Sequence, residues 1–354
     1  MPYTTIKKPS DYFNTVLWTG NGNSTRSITG VGFQPDLTWK KERNAGFSIG
    51  HMLYDSVRGL GVNKHLDSSA DSTEGSGNDE NFGYFTSFDS DGFSLSNGSS
   101  GSDYVNNSSY NYVAWNWLAS NTTASNTDGS ITSTVSANTT SGFSIVSYTG
   151  NGTSDSSIGH GLGAIPKITI TKNLTSANSW RFTYYFVDGS RDRLLLDTTA
   201  SKYDSDSVTA NDSSVFYVDG GSEQNTSGNN YIAYCFAEKQ GFSKFGSYNG
   251  NGNANGTFVY TGFKPAFVMG KATSGTENWF MNDTKRLGYN DKNLRLYPNL
   301  ANAEGTSTDI NMDIFSNGFK LNSTNTNSNG SGTTYIYMAF AEEPLVGDNP
   351  ATAR

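Results

Sequence analysis

Three stretches of the chain share one alternation of large apolar and small positions: Tyr112-Val113-Ala114-Trp115-Asn116-Trp117-Leu118-Ala119, Tyr231-Ile232-Ala233-Tyr234-Cys235-Phe236-Ala237-Glu238 and Tyr335-Ile336-Tyr337-Met338-Ala339-Phe340-Ala341-Glu342. In each, one parity carries bulky apolar side chains (Val113, Trp115, Trp117; Ile232, Tyr234, Phe236; Ile336, Met338, Phe340). A period of two predicts a strand with one face on a core. The other parity is mostly small after its leading Tyr, so a second layer can approach that face closely.

Each of these strands closes a block of sequence with further landmarks in fixed order, which marks an internal repeat. A strand ends on an aromatic residue and a Gly-Asn-Gly turn (Trp18 to Gly22, Tyr148 to Gly152, Tyr248 to Gly252), a hairpin signal. A Pro then opens an alternating strand: Pro35 with Leu37 and Trp39, Pro166 with Ile168 and Ile170, Pro265 with Phe267 and Met269. Lys41, Lys172 and Lys271 follow at one offset, and at strand ends they are expected to be solvated. Asp-x-x-Arg comes next in every block. The predicted fold is all-β, three tandem β-sandwich repeats of the jelly-roll or lectin-like kind, each about 100 residues. The expected division is an anchoring lead at 1–12, repeats at 13–119, 142–239 and 241–344, a Ser/Thr/Asn-rich linker at 120–141, and a tail at 345–354.

Composition sharpens this picture. With 354 residues, 13% aromatic but only 34% hydrophobic, the chain can fill several small cores more readily than one large one. Its net charge of -8 and lack of a basic cluster argue against nucleic acid as a partner. No apolar stretch approaches the length of a membrane span, and the first residues carry no apolar signal region, so synthesis in the cytoplasm without membrane insertion is expected. The single cysteine, Cys235, is expected to be a buried structural thiol.

Candidate chemistry is sparse. Asp89 and Asp91 flank Ser90 before a Gly, but the full calcium-loop pattern is missing and turn chemistry accounts for them. His51, His65 and His160 lack the spacing of a zinc site, so no metal and no cofactor are expected. The repeated pairs Asp55/Arg58, Asp188/Arg191 and Asp283/Arg286 read as ion pairs that tie an irregular segment to each sandwich. Neither a nucleophile elbow, a phosphate loop nor the acidic strand motif of a glucanase occurs, so no catalytic residue is assigned. Sugar binding on a sandwich needs an exposed aromatic with amides nearby. Tyr104, Asn106, Asn107 and Tyr110 form one such set, and Asn278, Trp279 and Asn282 another. Trp18, Tyr148 and Tyr248 repeat in one framework position and are expected to pack.

Together, Tyr3-Thr4-Thr5-Ile6 with Pro9 and Tyr12-Phe13, Trp18-Thr19-Gly20-Asn21-Gly22, Gly32-Phe33-Gln34-Pro35-Asp36-Leu37, Asp55-Ser56-Val57-Arg58-Gly59 and Ser87-Phe88-Asp89-Ser90-Asp91-Gly92-Phe93 resemble uncharacterised structural proteins of tailed phages of marine bacteria, including cyanophages. The first block carries the match; the other two share only the repeat landmarks. The resemblance implies a concanavalin A-like fold and a place in the virion as a fibre or decoration component. Other virion proteins and copies of the chain itself would be its partners. Two classes follow: a non-enzymatic structural component on the particle exterior, or a lectin-like adhesin for host surface polysaccharide, with glycoside hydrolysis a weaker third.

Overall fold

The computed structural model describes residues 3–44, 49–204, 210–286, 290, 294–305, 311–346 and 350–351. The fold is all-β, built of antiparallel sheets in stacked layers. Each block contributes a main sheet in which an opening strand (Phe13–Thr19, Phe143–Thr149, Ser243–Asn249) pairs with the closing strand (Asn111–Trp117, Asn230–Phe236, Thr334–Pro344). On its far side the closing strand pairs with the strand after the Pro (Leu37–Glu42, Ile168–Asn173, Phe263–Ala272), which pairs in turn with a short strand (Met52–Asp55, Arg181–Tyr184, Phe280–Asp283). The order is therefore the same in all three main sheets.

The two parities of the closing strands go to different places. Their small face lies under an outer sheet: Thr25–Thr29, Gly92–Ser96 and Tyr84–Asp89 in the first block, Ser156–Gly159 and Val215–Val218 in the second, Phe258–Tyr260, Gly318–Asn322 and Asn311–Phe315 in the third. Three local cores result, around Phe93, Phe216 and Phe319. The large face of all three closing strands points instead into one common core. There Trp117, Phe236 and Phe340, which hold the same position in the repeat, meet as a triangle with ring centroids 6.4, 5.8 and 5.6 Å apart. A residual apolar cavity of about 10 Å³, lined from all three blocks, has room for no ligand.

The blocks lock head to tail around this core. From the first to the second, Lys172 Nζ donates to Asp71 O (2.7 Å) and Trp180 Nε1 to Asp67 O (2.8 Å). From the second to the third, Lys271 Nζ donates to Thr199 O (3.2 Å), Lys202 N to Thr273 O (2.8 Å) and Trp279 Nε1 to Leu195 O (2.9 Å). From the third back to the first, His51 Nε2 meets Tyr297 O at 3.0 Å, Glu304 N donates to Arg43 O (3.2 Å), and Arg43 pairs with the Glu304 carboxylate (2.8 Å). The ring is closed.

Several expectations change. Lys41, Lys172 and Lys271 are buried rather than solvated, because each ends the parity that faces the common core; Lys172 and Lys271 donate to a loop of the preceding block, and Lys41 Nζ to Glu42 O (2.8 Å). The 120–141 run is not a free linker: Ala124–Asn126 and Ser133–Asn138 extend the second main sheet to seven strands, with Val135 in the local core. Hydroxyl residues alternating with Ile131 and Val135 satisfy a strand that has one face on a core and one in water. The lead folds onto its own chain, burying Ile6 in the common core and donating Tyr3 OH to Gly262 O (2.5 Å). Of the tail, residues 347–349 and 352–354 lie outside the described residues, and Ala351 N donates to Pro344 O (2.8 Å).

The Gly-Asn-Gly segments are not hairpins within one sheet but crossings from main to outer sheet. A Cβ on the first glycine would fall 1.9 Å from Asn107 O at Gly20, 2.4 Å from Thr226 O at Gly150 and 2.2 Å from Gly330 O at Gly250, so no other residue fits. The second glycine has φ of 74°, 75° and 64° in turn, which L side chains rarely adopt.

Candidate functional site

The residues repeated in every block are committed to holding the fold. Asn106 is buried and grips the Gly-Asn-Gly crossing, accepting from Asn21 N (3.1 Å) and donating to Asn21 Oδ1 (2.8 Å) and Asn23 O (2.9 Å). Asn225 does the same to Asn151 and Thr153, and Asn329 to Asn251 and Asn253. Asn106 was expected at a sugar, and the structure corrects that: its amide is spent on the turn. Trp18, Tyr148 and Tyr248 stack on Tyr112, Tyr231 and Tyr335 with centroids 5.1, 5.2 and 5.0 Å apart.

The other proposed sugar residues fare similarly. Tyr104 packs beside Phe82 and His65. Asn107 donates to Asp103 Oδ1 (2.5 Å) and accepts from Ser109 N (2.9 Å), and Tyr110 is half-buried against the first local core. Trp279 is fully buried, its indole turned to the second block, while Asn278 accepts from Asn299 Nδ2 (2.7 Å). Asn282 is buried without a hydrogen-bond partner for either end of its amide. Neither set forms an exposed aromatic platform, because the strand after Asn278 places Trp279 on the face turned to the common core.

The Asp-x-x-Arg motif splits. Arg58 Nε lies 2.5 Å from Asp55 Oδ2 and Arg286 Nε 2.7 Å from Asp283 Oδ2, both pairs buried. The second carboxylate oxygen accepts the amides of Val57 and Arg58, or of Lys285 and Arg286. The adjacent block adds a donor to each: Tyr234 OH to Asp55 (2.8 Å) and Trp115 Nε1 to Asp283 (3.1 Å). Asp188 and Arg191 do not pair. In the second block the register puts Tyr184 where the other blocks have Asp55 and Asp283, and the matching donor position holds Met338. Arg191 instead bonds Asp219 and, at 3.2 Å, Asp155. Asp188 lies with Asp192 and Asp204 in a group tight enough to hold a cation, but Lys202 Nζ occupies its centre at 3.2, 2.9 and 3.3 Å. Hydrogen bonds from Ser190, then from Lys202, hold the Asp188 carboxyl down to about 2.

Histidines and the Asp89 turn are likewise structural. His51 Nδ1 accepts from Trp39 Nε1 (2.8 Å), so Nε2 carries the proton it gives to Tyr297 O, and burial holds the ring's pKa well below the usual value. Asp89 accepts from Ser87 (2.7 Å) and Ser94 (2.6 Å), and Asp91 from the amides of Gly30 and Gly32. Cys235 is buried and its thiol pKa is pushed up.

One open, chemically mixed feature stands out: a cleft of about 370 Å³ where the lead, the joint between the second and third blocks, and the third outer sheet meet. Tyr3, Glu238, Gln240, Gly241, Lys244 and Tyr260 line it. Tyr260 is 57% exposed, and Phe258, on the same face of its strand, 46%. Glu238 is clamped by Lys244 Nζ (2.7 Å) and Lys167 Nζ (3.0 Å). Burial raises its pKa, but those hydrogen bonds outweigh burial and hold it below the ordinary glutamate value. Burial, then the neighbouring Tyr260, raises the pKa of Tyr3. Sequence reasoning passed over this strand, yet a signal existed: Phe258-Val259-Tyr260 is apolar on both parities, whereas in Thr25–Thr29 only Ile28 is apolar.

Over residues 8–344, across all three blocks, the chain matches the family described as Domain of unknown function (DUF7483), and it belongs to that family. No curated protein and no solved structure matches it.

Proposed function

We propose that this protein is a non-enzymatic structural component on the exterior of a tailed-phage particle, a head decoration or knob or part of a tail fibre. The closed three-block ring supports this reading: the repeated Asn106, Asn225 and Asn329 lock the strand crossings, and Lys172, Lys271 and His51 lock one block to the next, which suits a rigid module. The resemblance of the first block to virion proteins supplies the setting, with other virion proteins and further copies of the chain as partners. Mass spectrometry of gradient-purified particles tests it. The expected result is the intact chain at a fixed copy number per particle, retained after a high-salt wash. Recovery only as free protein in the lysate overturns the proposal.

A second reading, a lectin-like adhesin for host surface polysaccharide, is favoured by one observation: the exposed Phe258 and Tyr260 beside a polar cleft. Both readings can hold for one protein, since a particle's outer component is also what meets the host.

A further inference from the structure

We propose that the cleft between Tyr3 and Tyr260 is a binding site for neutral hexose units of a polysaccharide, with Tyr260 as the stacking platform. The repeat fixes what each position of the outer sheet requires. Val259 pairs with Phe319, as Ile28 pairs with Phe93 and Ile158 with Phe216, which sets the three outer sheets in register. Tyr260 therefore corresponds to Thr29 and Gly159, and Phe258 to Ser27 and Ser157. The framework is satisfied by a hydroxyl residue or glycine at these places. Phe258 meets Phe315 edge-on (6.0 Å), yet about half of each residue stays in water, 46% of Phe258 and 57% of Tyr260, more than packing of the sheet explains.

The groups around the rings choose the ligand. An exposed aromatic face takes the apolar side of a pyranose, and amide or carboxylate groups at its rim take the hydroxyls. Gln240 is exposed and offers both donor and acceptor, and Glu238 offers carboxylate oxygens. Glu238 and Lys244, the charged residues that line the cleft, pair with one another at 2.7 Å, so the lining carries no excess charge with which to recruit an anionic or cationic ligand. Ser243 and Thr261 are already engaged, accepting from Lys239 N (2.9 Å) and donating to Phe263 O (2.6 Å). Two glycines keep the floor low: a Cβ at Gly262 would fall 2.7 Å from Tyr3 Oη, and one at Gly241 2.8 Å from Thr4 Cβ.

The inference rests on the adhesin reading, and its test is separable from that of particle membership. The full chain is titrated by calorimetry and saturation-transfer NMR with maltoheptaose and cellohexaose as neutral probes, and with a hyaluronan oligosaccharide as the anionic one. Tyr260→Thr and Phe258→Ser install what the first block carries; Tyr260→Thr should melt within about 2 °C of the parent, and Phe258→Ser, which also loses the edge-on contact with Phe315, somewhat lower. Expected are binding of a neutral probe, saturation transfer to it, and a loss of about tenfold or more in affinity for Tyr260→Thr. Three results overturn the site: no neutral probe binds the parent, Tyr260→Thr binds as well as the parent, or the hyaluronan oligosaccharide binds more tightly than either neutral probe. A change of sedimentation with the aromatic substitutions and no sugar binding would assign the patch to contact between copies, also overturning it. Particles carrying Tyr260→Thr at normal copy number would show that failure of the site leaves particle membership standing.

Discussion

Asn106 illustrates how much a single side chain does in this fold. Its amide bridges two stretches of chain 85 residues apart in sequence, and Arg26 Nη1 adds a further bond at 3.1 Å. Replacing it by Ala leaves turn amides and carbonyls without partners in a buried place. Asn106→Ala should cost about 2–3 kcal/mol by chemical denaturation, with Asn225→Ala and Asn329→Ala similar. The buried lysines give a pH signature. Burial pushes Lys41, Lys172 and Lys271 each down to about 8. In the unfolded chain a lysine titrates near 10.4, so between about pH 8 and 10 the unfolded state binds more protons and stability rises with pH. Above about pH 10 the sign reverses, because Tyr54, Tyr148, Tyr234 and Tyr248 keep protons in the fold that unfolded tyrosines lose. Thermal melts should therefore rise from pH 8 to about 9.5 and fall beyond about 10.5, and Lys172→Met should flatten the rise.

At the scale of elements, the strand alternation was legible and the neighbours were not. Trp115 and Ala114 announce two faces of one strand, but a period of two says nothing about which layer covers each. The sequence therefore suggested three separate cores, whereas the large faces converge on one. Lys172 was misread for the same reason: the loop at Asp71 of the first block, together with Asn178 and Trp180 of its own, covers a strand end that the pattern leaves open. The Asp188/Arg191 match shows the opposite error, since a three-residue spacing was found where the framework position belongs to Tyr184. The two kinds of pair should separate by mutation. Arg58→Ala strands a buried carboxylate and should cost about 3–5 kcal/mol. Asp188→Ala removes a partner from the side-chain group around Lys202, where Asp192 and Asp204 remain, and should cost under about 1 kcal/mol.

For the whole molecule, shared packing predicts shared fate. Each block completes the burial of its closing strand's large face against the other two, so a fragment covering 142–239 should fail to give dispersed NMR spectra, and the intact chain should unfold in one transition by both tryptophan fluorescence and circular dichroism. Two separate transitions would contradict the common core.

The joint of Arg43 with Glu304 carries a consequence for how the protein is made. Those residues are 261 positions apart, and the contact between them completes the ring. During synthesis the first two blocks must wait, with Trp115, Trp117 and Phe236 uncovered, until the third leaves the ribosome. A chain so waiting can accept the third block of another chain as readily as its own. Refolding at high concentration should therefore yield dimers that exchange their last blocks, separable by size exclusion and slow to revert, while dilute refolding should give monomer after a lag set by long-range closure.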